Sequence, residues 1–349
     1  MNLHLSIHSD RRGYASAFTS IAMLAALLFA IPARGQSYPP LNVPLKIERV
    51  PGHSIYYSIG DPGIPGQRNQ GNTSNAGFIV TNDGVVVFDA LGTPSLGWAL
   101  LQAIRKTTGQ PVRYNVVSHY HADHIYGLQA FKDHTSTVII AQDRAREYTE
   151  NDETADERAN QRLDQRRAAL APWVNKNTRV VPPDITFDDR LLLTIGGRSF
   201  QMIYAGPAHS ASDMMMMVEP DGVLFAGDVV QNGRIPFMNS DDVNTRQWLR
   251  SLAEVEKLNP TFIIPGHGRP STKAKEAIAF TRDYITYVRA AMRRAVENWT
   301  DFDVAYKAAD WSKYASMPAF EANNRGNAYR IFLEIEKEKF GGDSGLHKP

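Results

Sequence analysis

The stretch Ser118–Gly127, SHYHADHIYG, decides how the rest of the chain is read. It sets His119, His121, Asp123 and His124 close together, directly after the apolar run Tyr114–Val117, which reads as a buried strand. Imidazole and carboxylate are ligand types that a borderline cation such as zinc accepts, and the chain has no cysteine. Histidines two apart on extended backbone point to the same side, so His119 and His121 can grip one ion. Asp123 and His124 lie where the chain turns into the next helix, and they can reach a second. The cluster reads as a metal site rather than as a polar loop satisfied by backbone and water.

Outward from this stretch, the order of elements is that of a layered α/β fold. Leu45–Val50 and Ser54–Ile59 alternate as strands do. Ala76–Thr81 and Val85–Phe88 are apolar strands joined by the hairpin signal Asn82-Asp83-Gly84. Asp89 ends the second strand, either as a turn residue or as an outer partner that orients a ligand histidine. Between these pairs, Asp61–Asn72 is rich in Gly and Pro. It is a long hairpin connection or a flap over the metal site.

Thr93-Pro94 opens a helix that Gly109 closes. The metal strand follows, then a helix from His124 to Lys132 and a strand at Val138–Ala141. Gln142–Pro172 is a charged helical insertion with acids and bases alternating, read as a solvated face rather than a binding patch. Strands resume at Leu191–Ile195, Ser199–Tyr204, Asp213–Glu219 and Val223–Ala226. The run Met214–Met217 reads as core packing rather than a copper site, because alternate strand residues face opposite ways. Asn244 with Gln247 resembles a capping box opening the next helix, and Thr261–Ile264 is the last strand. From Lys273 onward the chain is helical, with Tyr329–Phe340 as its final helix.

Residues 1–35 have the form of a secretory signal: Arg11-Arg12, the apolar run Ala15–Ile31, and small residues at Ala33-Arg34-Gly35. That run falls short of the ~20 apolar residues of a membrane span, so no stable membrane insertion is expected after cleavage. The mature protein is expected in the periplasm or secreted, by the general route or, on the weak hint of the Arg pair, the twin-arginine one. Lys and Arg number 38 against 37 Asp and Glu. A nucleic-acid binder normally shows a basic excess, so the expected partner is a small-molecule substrate and no nucleic acid. With 43% apolar residues and no disulfide, stability must come from core packing and bound metal. The expected organisation is a leader at 1–35, a catalytic domain at 36–272 with its insertion at 142–172, and a helical extension at 273–349 packed on the same domain.

Three later residues share one local grammar: an apolar strand followed by a lone ligand-type side chain. His209 stands in AGPAHSASD, Asp228 in VLFAGDVV and His267 in IIPGHGRP. In open α/β sheets, sites collect at strand ends, so all three can converge with the first cluster.

This set, HxHxDH at His119–His124 with His209, Asp228 and His267 in order, resembles the metallo-β-lactamase superfamily over roughly Ile55–Pro270. The surroundings look most similar to exported SoxH-like, quinoprotein-associated zinc hydrolases and to glyoxalase II-type members. The resemblance implies an αββα sandwich with two Zn2+ per chain. One is held by His119, His121 and His209, the other by Asp123, His124 and His267, with Asp228 bridging. It implies a hydrolase whose metal-bridging hydroxide attacks a small carboxylic derivative: a β-lactam, thioester, ester or lactone. Asp123 is also the expected catalytic proton carrier, and Asn232, Arg234 and Asn75 are expected to contact substrate. Two other readings fit the same ligands: a mononuclear-iron oxidoreductase of persulfide-dioxygenase type, and a non-catalytic metal-binding protein.

Overall fold

The computed structural model describes residues 38–148 and 153–340, so the expected leader at 1–35 lies outside the described residues. Short strands β1 (Ile47–Arg49) and β2 (Ile55–Ser58) lead into the hairpin of β3 (Ala76–Thr81) and β4 (Gly84–Phe88). Helix α1 (Pro94–Thr107) then crosses to β5 (Val112–Val116). Thr93 caps α1 by accepting from the Leu96 N–H, with Pro94 at the first turn, and its stripe Leu96, Leu100, Leu101 and Ile104 is buried. After β5 come α2 (Ala122–Ile125), α3 (Leu128–His134) and β6 (Val138–Gln142), then α4 (Glu153–Leu170) and β7 (Ile185–Phe187). These strands form one seven-stranded sheet in the order β1 to β7. It is antiparallel through β4 and parallel from β4 to β7.

The second sheet holds β8 (Arg190–Ile195), β9 (Arg198–Tyr204), β10 (Met214–Glu219), β11 (Val223–Asn232) and β12 (Phe262–Gly268), in the order β12-β11-β10-β9-β8. Helix α5 (Thr245–Lys257) connects β11 to the parallel β12, and α6 (Ala274–Glu297), α7 (Phe302–Ala308) and α8 (Phe320–Phe340) complete the chain. Three apolar layers hold the sandwich together. Val86, Phe88, Phe200 and Phe225 lie between the sheets. Helices α1 and α3 cover the outer face of the first sheet through Leu100 and Phe131. Helices α5, α6 and α8 cover the second through Trp248, Ile285 and Ile331. This is the αββα sandwich with a helical C-terminal region. In β10, Met214 and Met216 face the inter-sheet layer while Met215 and Met217 face the helices. No helix among the described residues is long and apolar enough to cross a membrane.

Several boundaries differ from the sequence reading, each for a local reason. The helix expected from His124 to Lys132 is two, broken at Tyr126-Gly127. A side chain at Gly127 would meet the Ala90 carbonyl oxygen at 1.8 Å, so only glycine lets this turn sit on α1's flank. Strand β7 is three residues long at a sheet edge, too short to leave a periodic signal. Strands β11 and β12 run past Ala226 and Ile264, because register shifts around Gly227 carry the pairing on to Gln231↔His267. Asn244 accepts from the Gln247 N–H, but its own N–H goes to Ala208, so the capping box is half made. The final helix starts at Phe320 rather than Tyr329, and the stretch read as helical from Lys273 onward divides into three helices, α7 being the short middle one.

Phe225 sits fully buried where the sheets meet, its ring 5.1 Å from that of Phe88 and against the backbone of Gly77. Phe225→Ala is expected to lower the unfolding free energy by about 3–5 kcal/mol, read from the midpoint of chemical denaturation. A loss under about 1 kcal/mol would mean that the layer closes over the hole.

Candidate metal centre

All seven sequence-predicted ligands meet at one edge of the sandwich. His119 and His121 follow β5, and Asp123 and His124 lie in α2. His209 stands in the β9–β10 turn, Asp228 within β11 and His267 within β12. The bulge at Gly227, with φ +51°, aims Asp228 at the cluster. Gly266 leaves room for it, since a side chain there would meet Asp228 Oδ1 at 2.0 Å. The Met214 N–H donates to the Ser118 carbonyl, tying the two sheets together beside the site.

Four of the five imidazoles are held by their Nδ1 atoms. His124 donates to Asp89 Oδ2 at 2.8 Å, His209 to the Phe237 carbonyl at 2.9 Å and His267 to the Thr73 carbonyl at 2.7 Å. The Ser118 hydroxyl gives its one hydrogen to Asp89, so it accepts from His119 Nδ1 at 2.9 Å. That leaves Nε2 of each ring facing inward, as the atom a metal would take. His121 is turned the other way, with Nδ1 2.8 Å from His209 Nε2. Asp89 is therefore the anchor behind two ligands, in a left-handed conformation (φ +59°) that Asp tolerates better than most side chains.

Among the described residues, three sets of donor atoms lie within 4.8 Å of one another: His119, His121 and His209; His119, His124 and Asp228; Asp123, His124 and His267. Asp228 reaches His209 at 3.2 Å, His267 at 3.3 Å and His124 at 3.4 Å, and Asp123 reaches His267 at 3.4 Å. Ligands about 2.0–2.1 Å from a tetrahedral ion stand roughly 3.3 Å apart, so these separations suit ligands that share an ion. His119 Nε2, His124 Nε2 and Asp228 Oδ1 are buried without a hydrogen-bond partner among the described residues. Orphaned donors and acceptors converging on one point are costly unless a cation joins them. The residues fit metal.

The electrostatics divide the site. Burial, then the neighbouring histidines, hold His119 and His121 well below the ordinary imidazole range, so both are neutral at pH 7. Burial would also lower His124 and His267, but Asp228, with Asp89 for the first and Asp123 for the second, outweighs it and raises both. Burial alone would raise Asp123 and Asp228, but histidines hold both carboxyls well below the usual range. Without metal, protons on His124 and His267 thus stand where cations would.

The remaining site expectations are redistributed. Asn75 does not line the cleft: its amide donates to the Pro265 and Gly268 carbonyls and accepts from the Gly60 N–H, framing the His267 strand. Asn232 likewise holds the Arg269 carbonyl. Arg234 does line it, with its guanidinium on the Pro62 and Gly63 carbonyls and Gln231 Oε1, and Gln231 in turn donates to Asp228 Oδ2. The Asp61–Asn72 loop is a built rim rather than a loose flap. Asp61 pairs with Arg68 and Asn69 inside it, and Ile64 and Pro65 face the cleft. Most different is the insertion: Arg162, Gln165, Arg166 and Ala169 of α4 form a wall of a cleft of about 500 Å³ over the metal centre. The sequence did carry a signal. Arg158, Arg162 and Arg166 recur every fourth residue, and like charges so spaced disfavour a freely solvated helix.

The extension after residue 272 also reaches the centre. Asn327 of α8 donates to the Pro236 carbonyl at 2.7 Å and accepts from the Met238 N–H at 2.8 Å. Asn323 donates to the Ile235 carbonyl at 3.2 Å. Between those points hangs the Phe237 carbonyl that anchors His209.

The sequence model of the metallo-beta-lactamase superfamily matches residues 70–267. The chain belongs to this superfamily. Its relatives include linear primary-alkylsulfatase of Pseudomonas sp. (strain ATCC 19151), 24% identical over 248 residues that span 60% of this chain and 45% of that protein. Another is metallo-beta-lactamase type 2 of Elizabethkingia meningoseptica, 25% identical over 269 residues, 76% of this chain and 92% of that one. The chain thus spans less than half of the alkylsulfatase. Among solved structures, the sec-alkylsulfatase Pisa1 from Pseudomonas sp. superposes with a TM-score of 0.63 at 16% identity, covering 87% of this chain and 52% of that one. A metallo-beta-lactamase from Pontibacter korlensis gives 0.52 at 16% identity, covering 70% and 99%. At those identities the likeness speaks for the fold. What the superfamily match and the geometry share is a His/Asp cluster fit for metal.

Two expectations follow from the geometry. Metal uptake at Asp123, His124 and His267 should expel protons. Its affinity should therefore rise with pH as the raised His124 and His267 groups deprotonate. Zinc titration calorimetry in two buffers of different ionisation enthalpy measures this, and identical heats would contradict it. Asn327→Leu should weaken metal binding by roughly 10-fold through His209, measured by chelator competition. Unchanged affinity would reduce α8 to packing.

Proposed function

We propose that this protein is a hydrolase that carries two zinc ions, His119, His121 and His209 holding one, Asp123, His124 and His267 the other, with Asp228 shared. The observation that carries the reading is the convergence of orphaned, buried donor atoms beneath an open cleft. Bound there, a pair of divalent cations supplies an acidified water and a positive charge for the oxygen that gains electron density.

The chain's own residues do the rest. Asp228, braced by Gln231, sits between the two ligand sets and keeps them in register. Asp123 is the carboxylate most open to the cleft, and its Oδ atoms can take a proton from the attacking water and pass it to the leaving group. Its backbone carbonyl is pinned by the Ser74 hydroxyl, which steadies that position. Ile64, Pro65 and Phe237 give the cleft an apolar side that sheds water around a bound substrate. The substrate on this reading is a small carboxylic derivative, a β-lactam, thioester, ester or lactone. The alkylsulfatase relatives add sulfate esters. The signal-like sequence of residues 1–35 supports a location in the periplasm or outside the cell.

Metal analysis of the purified protein should find about two zinc per chain, and a panel of β-lactams, thioesters, lactones, esters and alkyl sulfates should contain a turned-over substrate. His121→Ala and Asp228→Asn should each reduce kcat by at least ~100-fold while leaving the circular dichroism spectrum unchanged. Full turnover in either variant would sink the two-ion reading. Iron in place of zinc, with oxygen uptake on a persulfide, would replace hydrolysis by the oxidoreductase reading.

A further inference from the structure

The charge of the cleft wall goes beyond what the ligands require. One face of α4, at the helical spacing Arg162, Gln165, Arg166 and Ala169, is turned to the metal centre, while Leu163 and Leu170 fix the helix to the core on another face. Arg162 lies over the Tyr120 ring, its Cζ 5.3 Å from the centroid, and Tyr120 is itself held by Asp242. The guanidinium is thus seated on a buried aromatic, not trailing in solvent. Arg166 has no carboxylate within salt-bridge distance among the described residues, whereas its neighbour Arg167 is paired with Asp164 at 2.8 Å. Arg162 and Arg166 line the same cleft as His121 and Asp123. From the far side, the buried Arg234 adds a third guanidinium. Two divalent cations would outweigh the two ligand carboxylates, so the loaded cleft is strongly electropositive. Beside this charge, Ile64 and Phe237 are 53% and 40% exposed, an uncovered apolar margin on the same cleft.

We infer that α4 forms an oxyanion subsite in which Arg162 and Arg166, facing Arg234, select substrates that combine an apolar body with a carboxylate or sulfate group. This rests on the hydrolase reading above and names its substrate class. The apolar body lies on Ile64 and Phe237, and the oxyanion takes the charge-assisted hydrogen bonds that planar guanidinium groups offer. The anion is either a distal carboxylate or the sulfate of the bond that is cut, and both make the same contacts with α4.

The test uses the zinc-loaded enzyme and two esters with one leaving group, 4-nitrophenyl acetate and mono-4-nitrophenyl glutarate, together with hexyl sulfate. The ratio of kcat/KM for the charged over the neutral ester is expected to be at least ~10, to shrink with added salt, and to fall to about 1 in Arg162→Gln/Arg166→Gln. Lysine at both positions should restore most of it. Hexyl sulfate turnover that falls in the same variant would place the anion at the reacting bond and supports the subsite equally. A ratio near 1 in the unaltered enzyme, or one unmoved by the double substitution, together with hexyl sulfate turnover that is absent or equally unmoved, overturns the inference even if hydrolysis is robust. If no substrate is cleaved, the hydrolase reading fails on its own, and binding decides the subsite. Calorimetry with hexane-1-sulfonate should then show affinity at least ~10-fold weaker in the Gln variant, and equal or absent binding overturns it.

Discussion

The centre depends on rings being held from behind. An imidazole offers a metal one electron pair only if its other nitrogen is fixed as a donor, and here four rings are fixed by groups from distant parts of the chain. Asp89 at the end of β4 serves His124 directly and His119 through Ser118. The Thr73 carbonyl, in the loop before β3, serves His267, and the Phe237 carbonyl, in the loop after β11, serves His209. Both sheets and two loops must therefore be in place before the donor atoms face one another. Buried polar groups of this kind specify an arrangement because any slip leaves them unpaired.

The same constraint explains the props around the ligands. Asn75 spans from Gly60 to Pro265 and Gly268 and locks the loop carrying Thr73 onto the strand carrying His267. Asp213 closes the turn of His209 by accepting from the Ser210 N–H and hydroxyl, while burial pushes its carboxyl up to about 6. Glycine at 266 and 127 permits approaches that any side chain would block. The segments outside the superfamily match are part of this framework. Helix α8 suspends the Phe237 loop from Asn323 and Asn327, so the C-terminal helices brace a ligand as well as covering a sheet.

Much of the architecture was legible because it rests on local chemistry. Thr93-Pro94 announces the start of α1, Asn82-Asp83-Gly84 the β3–β4 turn, and the four methionines of β10 divide between layers as strand alternation requires. What was missed lacked a local signature or obeyed a distant partner. Strand β7 is shorter than any periodicity can register. The break between α2 and α3 answers to the Ala90 carbonyl, more than thirty residues earlier in the chain. The charged face of α4 is the exception: its arginines recur every fourth residue, but the acids and bases alternating around them hide that pattern and look the same whether they meet water or a cleft.

By itself, the sequence determined the donor chemistry: five imidazoles and two carboxylates of the right types, each following or ending an apolar strand. Donor type is a property of the residue and survives any arrangement of the chain. Only the tertiary structure decided which nitrogen of each ring faces inward, that Asn75 and Asn232 support backbone instead of lining the cleft, and that Arg162 and Arg166 do line it. Those outcomes are set by hydrogen bonds and packing between residues far apart in the chain, as in His267 and Thr73, 194 positions distant. Orientation is a property of the assembled neighbours, and no short window of residues contains it.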